Sequence, residues 1–430
     1  MITEELKDIF KEKEFDFELV TTKLKEIKTS LEKYKTKFSE RKYESFKKLY
    51  NILIKFYDNL LNSEIPNFSL NNRSMSNIVL DEIENVWVYA DKLTTKSAKT
   101  SKGSRQIVLL VYTINFLINQ LKTNKTSTMR ELYYCGKGWP LSFTSQAESN
   151  LLIECLEIAL EKDRGDFSLY PENDGHLIGS LVLEEENRRG EIKRLDCSED
   201  VNEVGFPIPA DVDKIKLIST TADFVMVIET GGMYRRLVEN EFDKIFNCVL
   251  INADGQPSRA TKRMIKRLSQ ELKLSAVAFL DADQWSNRIY ASIAWGSVKT
   301  AHLSTYFATP NCKWLGVQPS DILRFNLPCD KLKEVDRNAG YSLLKDPRFE
   351  EFPDFIKEIK LQLILNKKAE QQSFSKYGID FVTNTYLPFK LKEMGLITEQ
   401  KFKKTFVEPK NPIIDINLEN EIKDFIMPHD

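Results

Sequence analysis

Asp223-Phe224-Val225-Met226-Val227-Ile228-Glu229 decides the fold of this chain. Five consecutive apolar residues, three of them β-branched, form a run too short for a buried helix and too uniform for a strand with one wet face. Two glycines and a helical stretch to Phe242 follow. Cys248-Val249-Leu250-Ile251 repeats the pattern and ends in Asn252-Ala253-Asp254-Gly255, with a helix from about Ser258 to Leu272 after it. Ala276-Val277-Ala278-Phe279-Leu280 is the third run and delivers Asp281-Ala282-Asp283, after which Ile289–Trp295 reads as helix. Buried strands alternating with helices predict an α/β domain with a parallel sheet covered on both faces. The last hundred residues are mixed, with helices near 351–377.

In such sheets the reactive groups collect at the carboxyl ends of the strands. Glu229 ends one strand here, and Asp281 and Asp283 end another. Three carboxylates at one edge make an all-oxygen site suited to Mg²⁺. The alternative is that they cap the helices that follow. Beside them Arg259, Lys262, Arg263, Lys266 and Arg267 fall at i, i+3, i+4, i+7, i+8 spacing with no acid among residues 259–268. A helix face so free of Glu suits a phosphodiester backbone better than plain solvation.

Upstream, residues 1–65 contain neither Gly nor Pro. Val20, Leu24, Ile27, Leu31, Tyr34 and Phe38 step by four and three along one helical seam, and Phe46, Leu49, Tyr50, Leu53, Tyr57 and Leu60 supply a second helix to fold back on it. From Lys92 to Lys137 nine basic residues, Lys99, Lys102 and Arg105 among them, meet one acid, Glu131. Gln106–Leu121 is an apolar helix, and Thr126-Ser127-Thr128 offers N-caps for a second helix carrying Met129-Arg130-Glu131-Leu132-Tyr133-Tyr134. Two helices joined by a polar turn fit a helix-turn-helix or winged-helix unit. A phenol such as Tyr134 can attack a phosphodiester and hold it covalently, with Arg130 one turn away to steady the phosphate.

Composition sets the outer bounds. At 430 residues the chain has room for two or three domains. No apolar run reaches the ~20 residues of a membrane span, and the N-terminus lacks a secretory pattern. Six scattered cysteines and three histidines give neither a disulfide framework nor a zinc site, so a reduced, intracellular protein is expected. With 62 Lys+Arg against 64 Asp+Glu, the net charge of −2 argues against nucleic acid. By segment that inference reverses: residues 151–210 hold fifteen acids and six bases, cancelling the basic stretches on either side. No phosphate-binding glycine loop is present, so any ATP must be bound by another chain.

These residues together resemble the DNA topoisomerase VI A subunit family, which includes the meiotic double-strand-break protein. Arg130–Tyr134 is similar to that family's catalytic tyrosine motif. Residues 222–229, Gly255-Gln256-Pro257-Ser258-Arg259 and Asp281-Ala282-Asp283 are similar to its Toprim domain. Asn72-Arg73-Ser74, Lys313–Val317, Ser375–Gly378 and Tyr386-Leu387-Pro388 extend the likeness from about 66 to 390 in consistent order.

The resemblance implies a helical N-terminal extension (1–65), a winged-helix domain with the tyrosine (66–150), an acidic connector with a small sheet (151–214), and a Toprim domain with a C-terminal helical elaboration (215–430). It implies Tyr134 as nucleophile, Arg130 as supporting cation, and Glu229, Asp281 and Asp283 as ligands of Mg²⁺. It further implies double-stranded DNA as substrate, a homodimer sharing its sites, and an ATP-binding B subunit in an A2B2 heterotetramer.

Three departures stand out. Ala253-Asp254-Gly255 replaces the family's usual Gly-Lys-Gly, and Asp283-Gln284-Trp285-Ser286 replaces Asp-Pro-Trp/Tyr-Gly. The N-terminal helical lead is also longer than usual. They leave open a Toprim nuclease using water and a DNA-binding paralogue that no longer cleaves.

Overall fold

A computed structural model describes residues 17–171, 174–187 and 189–427, which fall into two compact units. The described part of the first comprises 17–78, 88–171 and 298–303; the second takes in 79–87 and the remainder. No described helix is long and apolar enough to cross a membrane.

In the first unit the helices Phe17–Lys35 and Glu40–Leu61 pack on Ser101–Thr123 and Gln146–Leu160. The seam residues Val20 and Ile27 join Phe46, Leu49, Leu53, Ile114, Leu117, Leu121 and Leu156 in one core. The part of the expected helical extension before residue 17 lies outside the described residues. Asn67–Asn71 pairs antiparallel with Leu93–Ser97. Of the three N-cap candidates Thr128 is used: its hydroxyl accepts from the Glu131 N–H, and Glu131 accepts from the Thr128 N–H, a reciprocal capping box that starts the helix Met129–Lys137.

In the second unit six strands run in the order Lys313–Gly316, Ser275–Phe279, Phe224–Ile228, Cys248–Asn252, His176–Gly179, Phe206–Pro207. The first four are parallel; His176–Gly179 runs antiparallel to them, and Phe206–Pro207, antiparallel to that strand, turns back to their direction. Phe224 through Ile228 are wholly inaccessible, because helices and loops cover both faces. Ile228 lies level with Asn252 and Phe279, so the chain leaves three neighbouring strands at one height.

The all-parallel expectation is therefore incomplete: two strands from the acidic connector extend this sheet, while Leu181–Glu186, Ile192–Asp196 and Lys216–Thr220 form a separate antiparallel one. Gly179 permits the extension. Its φ is 125°, and a Cβ there would lie 2.2 Å from the carbonyl oxygen of Cys248.

Beneath the sheet lies a buried polar cluster. Asp321, fully buried, accepts from the Tyr386 hydroxyl (2.7 Å), the Gln318 N–H (2.9 Å) and Lys390 (3.1 Å). Next to it Glu358 accepts from the Ser320 N–H (2.9 Å) and hydroxyl (2.7 Å). Burial, with Asp321 adding to it, pushes Glu358 up to about 7 from 4.5. Between those values the native state holds a proton that the unfolded chain has released, so stability falls as pH rises from 4.5 to 7. Glu358→Gln mimics the protonated carboxyl. Urea unfolding across that window should show this dependence, on the order of 3 kcal/mol, flattened in the variant; an unchanged slope would refute the assignment.

Candidate active site

The tyrosine helix is fixed by its inner face. Leu132 is fully buried, and Gly136, one turn on, packs so closely that a Cβ would meet the Phe143 ring at 2.4 Å. The opposite face carries Arg130, Tyr134 and Lys137 at i, i+4, i+7, all exposed. Tyr134 is 59 % exposed, and among the described residues its hydroxyl has no hydrogen-bond partner. The Arg130 guanidinium sits 5.9 Å from the centre of its ring and makes no ion pair among the described residues. A phenol open to solvent with an uncommitted guanidinium over it has both elements of a phosphate-attacking group.

The acidic site is built on the level strand ends of the other unit. Glu229, 9 % exposed, accepts from the Asp281 N–H (2.9 Å) and the Ser286 hydroxyl (3.0 Å). Asp281 accepts from the Gln371 N–H (2.8 Å). Asp283 caps the helix Gln284–Ala294, one oxygen accepting from the N–H groups of Trp285 (2.9 Å) and Ser286 (2.8 Å). The capping alternative is thus realised for that oxygen, and the other has no hydrogen-bond partner among the described residues.

Burial pushes Glu229 up, with Asp283 adding to it. Burial likewise pushes Asp281 up to about 7, reinforced by Glu229, Asp283 and Glu370. None of the three acids makes an ion pair among the described residues. The donor set suits a hard divalent cation in chemistry and charge. In arrangement it is not closed: among the described residues no three Asp, Glu, His or Cys side chains are gathered tightly enough to hold one ion.

The basic helix Arg259–Glu271 corrects an expectation. Lys266 is only 2 % exposed rather than facing DNA. Arg263 pairs with Asp213 (3.0 Å) and lies 4.0 Å over the Tyr306 ring, while Arg267 binds Glu271 (2.6 Å) and the carbonyls of Val212 and Ile215. One acid, Asp213, comes from another segment, and the other, Glu271, is the last residue of the helix, beyond the acid-free stretch 259–268. Arg259 is half-buried, and so is Lys262, which burial and then Arg259 push down to about 8. Arg105, also expected at DNA, instead ties Ser142 and Glu148 together (2.8 and 3.1 Å). Lys99 and Lys102 are exposed without ion pairs among the described residues.

Two supporting residues escaped the sequence. Gln371 is fully buried; besides its N–H to Asp281, its side chain donates to the Phe279 carbonyl (2.7 Å) and accepts from Thr230 (2.8 Å). No local pattern marks it. Ser286 did leave a signal, as a hydroxyl where the resembled family reads glycine.

Three family models match in succession: the type IIB DNA topoisomerase model over residues 105–169, the all-beta domain of the DNA topoisomerase VI alpha subunit over 172–221, and the Toprim domain shared by the topoisomerase 6 A subunit and Spo11 over 224–391. The A subunit of type 2 DNA topoisomerase 6 from Natronomonas pharaonis is 48% identical over 347 residues, 80% of this chain and 94% of its own length. Its counterpart from Archaeoglobus fulgidus is 47% identical over 349 residues, 80% and 96% respectively.

The chain belongs to the family of DNA topoisomerase VI A subunits. It is a catalytic subunit of the type II class. Within that family its Toprim sheet and its tyrosine helix lie in separate compact units.

Two outcomes test these placements. Gly136→Ala should destabilise the tyrosine unit by about 1–3 kcal/mol in thermal unfolding, because Phe143 must shift. Lys266→Met should leave affinity for duplex DNA unchanged in a binding titration; a marked loss would return Lys266 to the DNA surface.

Proposed function

We propose that the chain cuts and reseals both strands of duplex DNA through Tyr134, as the A subunit of a topoisomerase VI assembly. The observation that carries this reading is the exposed Tyr134 hydroxyl beside the guanidinium of Arg130, neither with a hydrogen-bond or ion-pair partner among the described residues. The phenol oxygen attacks the scissile phosphorus in line. A bond forms from tyrosine oxygen to phosphorus, the bond to the deoxyribose 3′ oxygen breaks, and that oxygen leaves as a hydroxyl carrying the proton released by the phenol. The 5′ end stays on Tyr134. Because one phosphoester replaces another, the reverse attack reseals the strand without a high-energy donor. Arg130 neutralises the non-bridging oxygens as charge builds on them.

Glu229, Asp281 and Asp283 are the residues that would hold Mg²⁺, and among the described residues Asp283 keeps one oxygen free of hydrogen bonds for it. When bound, the ion would hold the phosphate and stabilise charge on its oxygens. With Glu229 buried and Asp281 and Asp283 half-buried beside it, the three carboxylates repel one another and concentrate negative charge that a divalent cation relieves. Exposed Lys99 and Lys102, with half-buried Arg259 and Lys262, supply backbone contacts. Two copies of the chain supply two tyrosines for the two strands, and a B subunit carrying ATP governs strand passage in an A2B2 heterotetramer.

With the B subunit, ATP and Mg²⁺, supercoiled DNA should be relaxed and denaturant should trap protein on 5′ ends. Tyr134→Phe should abolish both while duplex binding persists. Protein-free ends surviving in Tyr134→Phe but lost in Asp281→Ala would assign cleavage to water. Persistent binding with no cleavage under any condition would identify a non-cleaving paralogue.

A further inference from the structure

We propose that the N-terminal helical hairpin carries a second contact surface for the phosphate backbone of duplex DNA, formed by Lys33, Lys35, Lys37, Lys122 and Lys125. The inference rests on the reading that the chain acts on duplex DNA, and most of the surface lies outside the three matched family models.

Between Lys33 and Lys48 seven cations accompany two acids. Arg41 is paired with Asp166, and Lys48 with Glu44. Lys33, Lys35, Lys37 and Lys125 are exposed, Lys122 is half-buried, and none of the five makes an ion pair among the described residues.

Three of these ammonium groups converge on one ring. Lys33, Lys37 and Lys122 lie 5.8, 6.0 and 5.7 Å from the centre of Tyr34. Lys122 also lies 5.9 Å from the Phe46 ring and 5.5 Å from Tyr50. Tyr34, Phe38, Phe46 and Tyr50 are themselves packed at 4.8–5.3 Å. Their faces offset part of the repulsion among the lysines without cancelling the charge. The cluster therefore stays cationic, and a polyanion is its natural complement.

Two observations select duplex DNA. Lys42 donates to Asn124 (3.0 Å), tying the hairpin to the turn that holds Lys125 and leads into the helix presenting Arg130 and Tyr134. The cationic surface is therefore continuous in the chain with the proposed cleavage helix, inside one compact unit. A membrane surface would call for apolar side chains beside the lysines; no large apolar side chain of residues 18–61 is exposed. Lysines present mobile point charges, which suits backbone binding indifferent to sequence.

The test uses the full chain and a fluorescent linear duplex, titrated over a range of salt concentrations. Losing three phosphate contacts in K33E/K37E/K125E should lower the slope of log affinity against log salt by about 2.7. K404E/K410E/K423E, which changes net charge equally at exposed positions of the other unit, should leave the slope unaltered. If the first variant shows a lowered Tm, K33Q/K37Q/K125Q replaces it with the same expected loss. No duplex affinity in the unaltered chain would overturn the DNA reading itself. Normal affinity with an undiminished slope in the lysine variants would overturn this inference alone. So would lysine-dependent binding to anionic phospholipid vesicles with the duplex slope unchanged.

Discussion

Everything chemical in the second unit depends on the level register of three buried parallel strands. Ile228, Asn252 and Phe279 stand in one row, so the next residues of each strand emerge together at one edge. That edge is both apolar beneath and acidic above. Strands sealed on both faces cannot shift by a residue without driving side chains into the covering helices, and such a shift would carry Glu229 away from the Asp281 amide. The hydrophobic interior thus sets the spacing of the carboxylates, and burial in turn raises the preference of Glu229 and Asp281 for protons.

The tyrosine obeys the opposite logic. Its helix is short and starts on a capping box, with Leu132 and Gly136 docked inward. Nothing among the described residues hydrogen-bonds the phenol. A nucleophile that must meet an external phosphate gains from this bareness, since each internal hydrogen bond would have to be broken first.

Much of this was legible in the chain. Continuous β-branched runs announced the covered strands, and acids directly after two of them announced the edge. Thr128 was visible as a cap because Glu131 follows three residues later. What remained hidden was non-local. Arg263 and Lys266 looked like a solvent-facing stripe because Asp213 and the turn at 212–215 are distant in sequence, and helical spacing does not report what another segment lays against a face. The two strands that the acidic connector adds to the sheet were hidden for the same reason: short polar-flanked segments reveal a partner only once the sheet edge exists.

Gln371 shows how far that dependence reaches. It lies ninety residues beyond Asp281 and fastens both that carboxylate and the end of its strand. A fragment ending before it would contain every acid of the motif yet leave Asp281 without its holder. The acidic motif is therefore not a transferable cassette. What a homologue must inherit to keep this edge in working order is the return of the chain from the far side of the domain.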